Sequence, residues 1–294
     1  MLSTLARGAR RLALAATALA LAAAGPAAAE PALWALRDAD STIYLFGTVH
    51  VLKPGTEWRS PKVAAALGRS DELVLEVLGA DDPKAVQPLI ARYGVDPAGS
   101  LSAKLPDADR PRLAAAAKAM GLPDGAMEPM RPWLAALTLA VLPIVQAGYD
   151  AKSGVETVLT AEAKAAGKTL GALETLDQQL RFFADMPPEV EVALLSATLD
   201  DVADGPAQLD RMVAAWAAGD MAGLEREFVE ETRRDYPQLY RVVVVQRNED
   251  WAGQLARKLE GSGVSFVAVG AGHLVGPDSV QAQLEKRGLR VERQ

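Results

Sequence analysis

The chain has 294 residues, no cysteine and a formal net charge of −7. The missing cysteine excludes disulfides, thiolate ligands and a lipid-modified cysteine, so stability has to come from an apolar core. The acidic balance argues against nucleic-acid binding, which needs a concentrated basic face.

The first 29 residues read as a signal peptide. Arg7, Arg10 and Arg11 form a positive start, Leu12 to Ala24 an apolar stretch, and Ala27-Ala28-Ala29 a small-residue cleavage site before Glu30. A retained anchor is the other reading, although the apolar run falls short of the roughly 20 residues of a membrane-spanning helix. Removing the leader leaves 28 basic and 38 acidic side chains. No later stretch reads as membrane-spanning. The expected mature protein is periplasmic or secreted, and 30–294 reads as a single domain with a helical region over about 83–260.

Leu33-Trp34-Ala35-Leu36 and Thr42 to Phe46 flank Asp38-Ala39-Asp40-Ser41 and predict a β-hairpin. Ser60-Pro61 opens a helix that Gly68 is expected to end. Leu73 to Leu78 reads as a buried strand with Glu76 inside it. Helices are expected over Asp107 to Gly121 and over Pro132 to Ala147, the second kinked at Pro143 and buried. A further helix is expected over Gly154 to Gly167, then a short strand from Lys168 to Leu173 ending at Glu174. Leu209, Met212, Val213 and Trp216 mark a helical stripe. Val242 to Val245 is ambiguous between strand and helix, with helix preferred for want of room for a turn. Asn248, Glu249 and Asp250 open a helix with an apolar face of Trp251, Leu255 and Leu259. Val264 to Val269 reads as a strand, followed by a helix near Ser279 to Lys286 and a last strand over Leu289 to Glu292. The fold class is therefore α/β, with a mixed central sheet built from the N- and C-terminal segments and a large helical middle.

The chain has only two histidines, and each closes a Gly-x-x-His motif after a strand: Gly47-Thr48-Val49-His50 and Gly270-Ala271-Gly272-His273. Strands that share a sheet would bring both turns to one site beyond their carboxyl ends, where α/β proteins bind ligands. Glu76, late in an apolar strand, needs a partner or a metal to offset its burial. Two imidazoles and a carboxylate are a common set for a divalent transition metal that activates water. Each residue also has a structural reading: a hydrogen-bonded strand-end histidine, or an ion pair between Glu76 and a helix arginine. Arg131, before Pro132-Trp133, is a candidate anchor or a surface residue; Glu156 and Asp150 lie in and before a helix start; Glu174 ends a strand as Glu76 does. Arg247-Asn248 combines a candidate substrate or carboxylate contact with an N-cap.

The ordered set of motifs resembles the TraB/GumN family, which includes the TIKI-type proteases. It comprises Trp34, Tyr44 to Leu52, Leu73-Val74-Leu75-Glu76, Gly154-Val155-Glu156, Leu173-Glu174, Arg247 to Ala252 and Phe266 to Leu274, covering essentially all of the mature chain. The resemblance implies a fold akin to the erythromycin esterase and haem-binding ChaN-like group. It also implies a paired Gly-x-x-His site with an acidic partner, and for TIKI-type members a manganese- or cobalt-supported protease. Carried onto this chain, those features fall on His50, Glu76 and His273, with Glu156 and Arg247 beside them. Other relatives are linked to pheromone shutdown or polysaccharide production.

The expected function is thus an exported metal-dependent hydrolase, a peptidase. His50 and His273 would hold manganese, cobalt or zinc, Glu76 would be third ligand or general base, and Arg131 or Arg247 would steady the oxyanion or a substrate carboxylate. The alternative is a non-catalytic periplasmic protein that binds a peptide signal, a metal or haem. Either way the partner is a peptide or small molecule, with no nucleic acid.

Overall fold

The computed structural model describes residues 29–97, 99–202 and 204–294. The expected leader lies outside them apart from Ala29. Six strands form one mixed sheet in the order β4-β3-β5-β2-β1-β6. β1 (Leu33–Arg37) and β2 (Ser41–Thr48) are the expected hairpin, closed by Asp38, whose carboxylate accepts from the Asp40 and Ser41 N–H groups. β2 pairs in parallel with β5 (Gly263–Gly270), β5 with β3 (Glu72–Leu75), and β3 with β4 (Thr169–Ala172). The last strand, β6 (Val291–Arg293), runs antiparallel to β1. The two ends of the chain therefore meet in one sheet.

The middles of the central strands are apolar because helices cover both faces. Tyr44, Phe46, Phe266 and Ala268 enter one core with Trp58, Val155, Leu159 and Trp216. Ile43, Leu45, Val267 and Val269 enter the other with Trp251, Leu255 and Leu284. Burial of each such large apolar side chain stabilises the fold by about 1.5–3 kcal/mol. A third cluster lies in the helical middle, where Leu101, Leu113, Ala135, Leu139 and Leu195 meet.

Helix α1 (Pro61–Arg69) starts at the Ser60 cap but runs past Gly68, and Ser70 terminates it. The middle comprises α2 (Pro83–Tyr93), α3 (Leu101–Lys104), α4 (Asp109–Ala119), α5 (Pro132–Gln146), α6 (Val155–Ala165), α7 (Leu176–Ala184), α8 (Pro188–Asp201) and α9 (Gly205–Ala217). Three short helices follow, α10 (Met221–Glu225), α11 (Glu231–Asp235) and α12 (Pro237–Tyr240). A π-helical turn, Arg226–Glu230, separates α10 from α11, and a second, Arg241–Val245, runs straight into α13 (Gln246–Leu259). Helix α14 (Val280–Glu285) precedes β6.

Several expectations are corrected. The buried part of α5 is its first half, Pro132 to Leu139, while Val141 and Val145 are 50% and 51% exposed. Apolar composition alone does not fix burial: in the second half Ile144 packs on the core while Val141 and Val145 face outward. β3 ends at Leu75, so Glu76 follows the strand instead of lying within it. The valine run is helical, and α13 therefore starts before Asn248, which is fully buried inside the helix and is not its cap. No described helix is long and apolar enough to cross a membrane.

Candidate active site

The β2–β5 register decides where the histidines go. Thr48 is paired with Gly270, so both Gly-x-x-His turns leave the sheet side by side at the carboxyl ends of parallel strands. Gly47 permits this closeness, since a Cβ there would lie 3.1 Å from the Ala271 Cα. The Trp216 indole N–H, donating to the Gly47 carbonyl at 2.8 Å, holds the first turn down.

Each imidazole is gripped at Nδ1. His50 Nδ1 lies 2.6 Å from Glu156 Oε1, and the same oxygen accepts from the Thr48 hydroxyl. Glu156 reaches His50 because α6 begins against the first turn, with the Val155 N–H bonded to the Val49 carbonyl. A Cβ on Gly154 would overlap the His50 carbonyl, so this approach requires glycine. His273 Nδ1 lies 2.7 Å from Asn248 Oδ1, while the Asn248 amide donates to the His273 and Asp278 carbonyls. Asn248 Oδ1 is therefore an acceptor, Nδ1 of His273 carries the proton, and Nε2 keeps its lone pair.

Glu76 sits between the two rings. Its Oε1 accepts from the Gly270 N–H at 2.6 Å and lies 3.9 Å from His273 Nε2. Its Oε2 accepts from Arg247 Nη2 at 2.7 Å and from Gln179 at 3.4 Å. Arg247 also binds Glu174 through two parallel contacts of 2.8 and 2.9 Å, and its Nη1 lies 3.1 Å from His273 Nε2. Trp251, one turn along α13, packs its ring 4.5 Å from the His273 ring and 4.7 Å from the guanidinium carbon.

The electrostatics separate the two histidines. Burial and the nearby Arg247 charge lower the His273 pKa to about 3, so this ring is neutral at physiological pH. For His50, loss of hydration pulls downward, but Glu156 overrides it by charge and hydrogen bond and pushes the pKa up to about 9. The solvation penalty counts for less there because the side chain is 67% exposed. Burial opposes the ionisation of Glu76, yet the surrounding positive charge and the Gly270 N–H hold its pKa at about 2. Burial raises the pKa of Glu174, with Glu76 beside it adding to the effect.

The donors share one small space. A Cβ on Gly270 would lie 3.1 Å from Glu76 Oε1, 3.5 Å from His50 Nε2 and 3.7 Å from His273 Cδ2. Two oriented imidazoles and a carboxylate around a gap that only glycine leaves open match the donor chemistry of a divalent transition metal, including the oxygen partner behind each ring. Among the described residues no group of three or more His, Cys, Asp or Glu is drawn together closely enough to hold a metal as it stands. Arg247 Nη1 lies against the lone pair of His273 Nε2. The donor types are those that bind a divalent metal, while the Arg247 guanidinium holds both His273 Nε2 and Glu76 Oε2.

Of the residues selected from the sequence, His50, Glu76, Glu156, Glu174, Arg247, Asn248 and His273 are brought together. Arg131 is bound elsewhere: it ion-pairs with buried Glu191 and donates to the Tyr93 and Ala184 carbonyls, tying together the ends of α2, α7 and α8. Asp150 caps the 3₁₀ turn Ala151–Ser153. Thr48, Gln179 and Trp251 join the site without having been singled out for it. Starting α13 at the valine run would have placed Arg247, Asn248 and Trp251 on one helical face.

The family model described as "TraB/PrgY/gumN family" matches residues 32–293. An uncharacterized protein of Treponema pallidum (strain Nichols) is 23% identical over 274 residues, covering 88% of this chain and 82% of its own length. No solved structure matches the chain.

Proposed function

This chain belongs to the TraB/PrgY/gumN family, and on that premise we propose that it is an exported metal-dependent hydrolase acting on peptides. The observation that carries this reading is the convergence of His50, Glu76 and His273 on the space left by Gly270, with each ring anchored from behind. His50 and His273 through Nε2, and Glu76 through Oε1, would hold manganese, cobalt or zinc. When bound, such an ion polarises a carbonyl and makes water nucleophilic near neutral pH.

The chain's own residues supply the rest. Glu156 and Asn248 fix the two ring orientations, and Asn248 also fixes the tautomer that leaves His273 Nε2 unprotonated. Arg247 pairs with Glu76 and Glu174 at once and keeps its N–H groups beside the place where a carbonyl oxygen would gain negative charge. Trp251 closes the buried side of His273 against water.

One observation favours the binding alternative. The guanidinium already satisfies His273 Nε2, which suits a protein that holds a ligand without turning it over. Metal analysis of the purified mature protein, run beside a peptide-library digest, separates the two. Bound metal with metal-dependent cleavage that disappears in folded His50→Ala and His273→Ala supports the hydrolase. Saturable peptide binding without products supports the binder, and wild-type cleavage in both variants defeats the assignment of the site.

A further inference from the structure

Arg131 takes no part in the histidine site, and it lines an open cleft of about 920 Å³. The cleft lies where α2 and α3 end and α5 and α8 begin, and none of its lining residues belongs to the histidine site. Its volume falls within the roughly 300–1,000 Å³ of small-molecule sites. Val95, Leu105, Pro132 and Val192 supply apolar lining. The charged lining is balanced, with Arg92, Lys104 and Arg131 against Asp96, Glu189 and Glu191.

Tying helix ends together accounts for only part of this chemistry. Arg131 spends three of its five N–H donors, on the Tyr93 and Ala184 carbonyls and on Glu191 Oε1. Its Nε hydrogen and one Nη1 hydrogen have no partner among the described residues, and its side chain is 27% exposed. Glu191 is 3% exposed, and its Oε2 is buried without a hydrogen-bond partner. A buried carboxylate oxygen left unmatched is costly, and a donor brought by a ligand would remove that cost. Lys104 is paired with Asp96, whereas Arg92 and Glu189 have no ion-pair partner among the described residues.

Arg131 and Glu191 touch, so the unfilled donors and the unfilled acceptor belong to neighbouring groups. A contact pair of opposite charges is complementary to a ligand whose own two charges stand equally close, presented in reverse order. An α-amino acid is such a ligand: its carboxylate accepts from Arg131 and its ammonium donates to Glu191. The start of α5, with no acidic residue in its first turn and no side-chain cap, adds positive potential on the carboxylate side. A simple anion would satisfy the arginine and leave Glu191 Oε2 unmatched, and a simple amine would do the reverse. The apolar lining favours a large apolar side chain over a polar one.

We infer that this cleft is a binding site for a free α-amino acid with a large apolar side chain, held between Arg131 and Glu191. Such binding needs no metal and is separate from the reaction proposed above.

Calorimetric titration of L-phenylalanine into the full mature chain, with EDTA present, tests it. Saturable binding is expected. It should weaken about ten-fold or more for L-phenylalaninamide, which lacks the carboxylate, and for N-acetyl-L-phenylalanine, which lacks the ammonium. Glu191→Gln keeps a carbonyl oxygen for Arg131 and replaces the unmatched carboxylate oxygen by an amide. It should weaken L-phenylalanine about ten-fold and leave the N-acetyl compound unaffected. Arg131→Lys should weaken L-phenylalanine to a similar degree and leave the amide unaffected. A merely structural role would not give this crossed pattern, because misfolding weakens all three compounds alike. The comparison of the three compounds on the wild-type chain needs no variant, so it decides even where a variant folds poorly. No saturable binding up to about 10 mM, equal affinities for the three compounds, or wild-type affinity for L-phenylalanine in both folded variants overturns the site.

Discussion

Replacing Arg247 with methionine tests the electrostatic core of the site. The substitution keeps an apolar stem of similar length and removes the cation that bonds both Glu76 and Glu174. Both carboxylates are buried, at 7% and 6% exposure. Removing one partner from a buried pair costs about 3–5 kcal/mol, mostly because the remaining charge is left uncompensated, and in a domain of this size that lowers Tm by about 10 °C. The pH dependence has a definite sign. Glu76 has a folded pKa of about 2 against an ordinary 4.5, so its ionised form stabilises the native state above the ordinary value, and that share fades as pH falls from 4.5 toward 2. Glu174, with a raised pKa, does the reverse: its ionisation costs native stability as pH rises through the folded value. Without the guanidinium both carboxyls favour protonation, so the stability gap between wild type and variant should be widest near neutral pH and shrink on acidification. Urea denaturation at several pH values measures it. Adding Glu76→Gln and Glu174→Gln to the variant should recover much of the loss. A gap independent of pH, or a triple variant no more stable than Arg247→Met alone, would refute the electrostatic account and point to lost packing over Trp251 and Phe182.

Three further outcomes are expected. Gly270→Ala puts a methyl group 3.1 Å from Glu76 Oε1 and 3.5 Å from His50 Nε2; it should abolish metal retention while costing only about 1–3 kcal/mol of stability, and elemental analysis of the folded variant checks this. Glu156→Gln should bring the His50 pKa down from about 9 toward the ordinary 6.5, while His273 stays neutral; with two histidines in the chain, imidazole NMR resolves both. The stabilisation from the His50–Glu156 pair should accordingly be complete below pH 6.5, lost as pH rises through about 9, and absent from the variant. Asn248→Leu removes the oxygen that receives the His273 Nδ1 proton and leaves that buried donor unsatisfied, for a loss of about 1–3 kcal/mol by denaturation and a change in the tautomer seen by NMR.

Much of the architecture was legible along the chain because local physics writes it there. Continuous apolar runs such as Tyr44 to Phe46 and Phe266 to Val269 are what strands buried on both faces require. The hairpin turn at Asp38 and the Ser60-Pro61 helix start are set by residues a few positions apart. Two histidines in matching strand-end turns pointed to one site for the same reason, since parallel strands in one sheet end on the same side.

Other features depended on contacts between distant segments. Glu76 and Arg131 look alike from the sequence, each a charge beside apolar residues. Packing alone puts the first between the histidines and the second at Glu191, among helix ends. Asn248 carries the composition of a cap, and only the helical continuation from Arg241 turns it inward to His273. The apolar sequence of α5 carries no mark that Val141 and Val145 stay exposed while Ile144 packs on the core. The sequence by itself determined which segments become strands, that the two ends share a sheet, and that both imidazoles leave it together. The tertiary structure decided which charges meet, because an ion pair such as Glu76–Arg247 is selected by the register and packing of segments 171 residues apart, and no local preference encodes that separation.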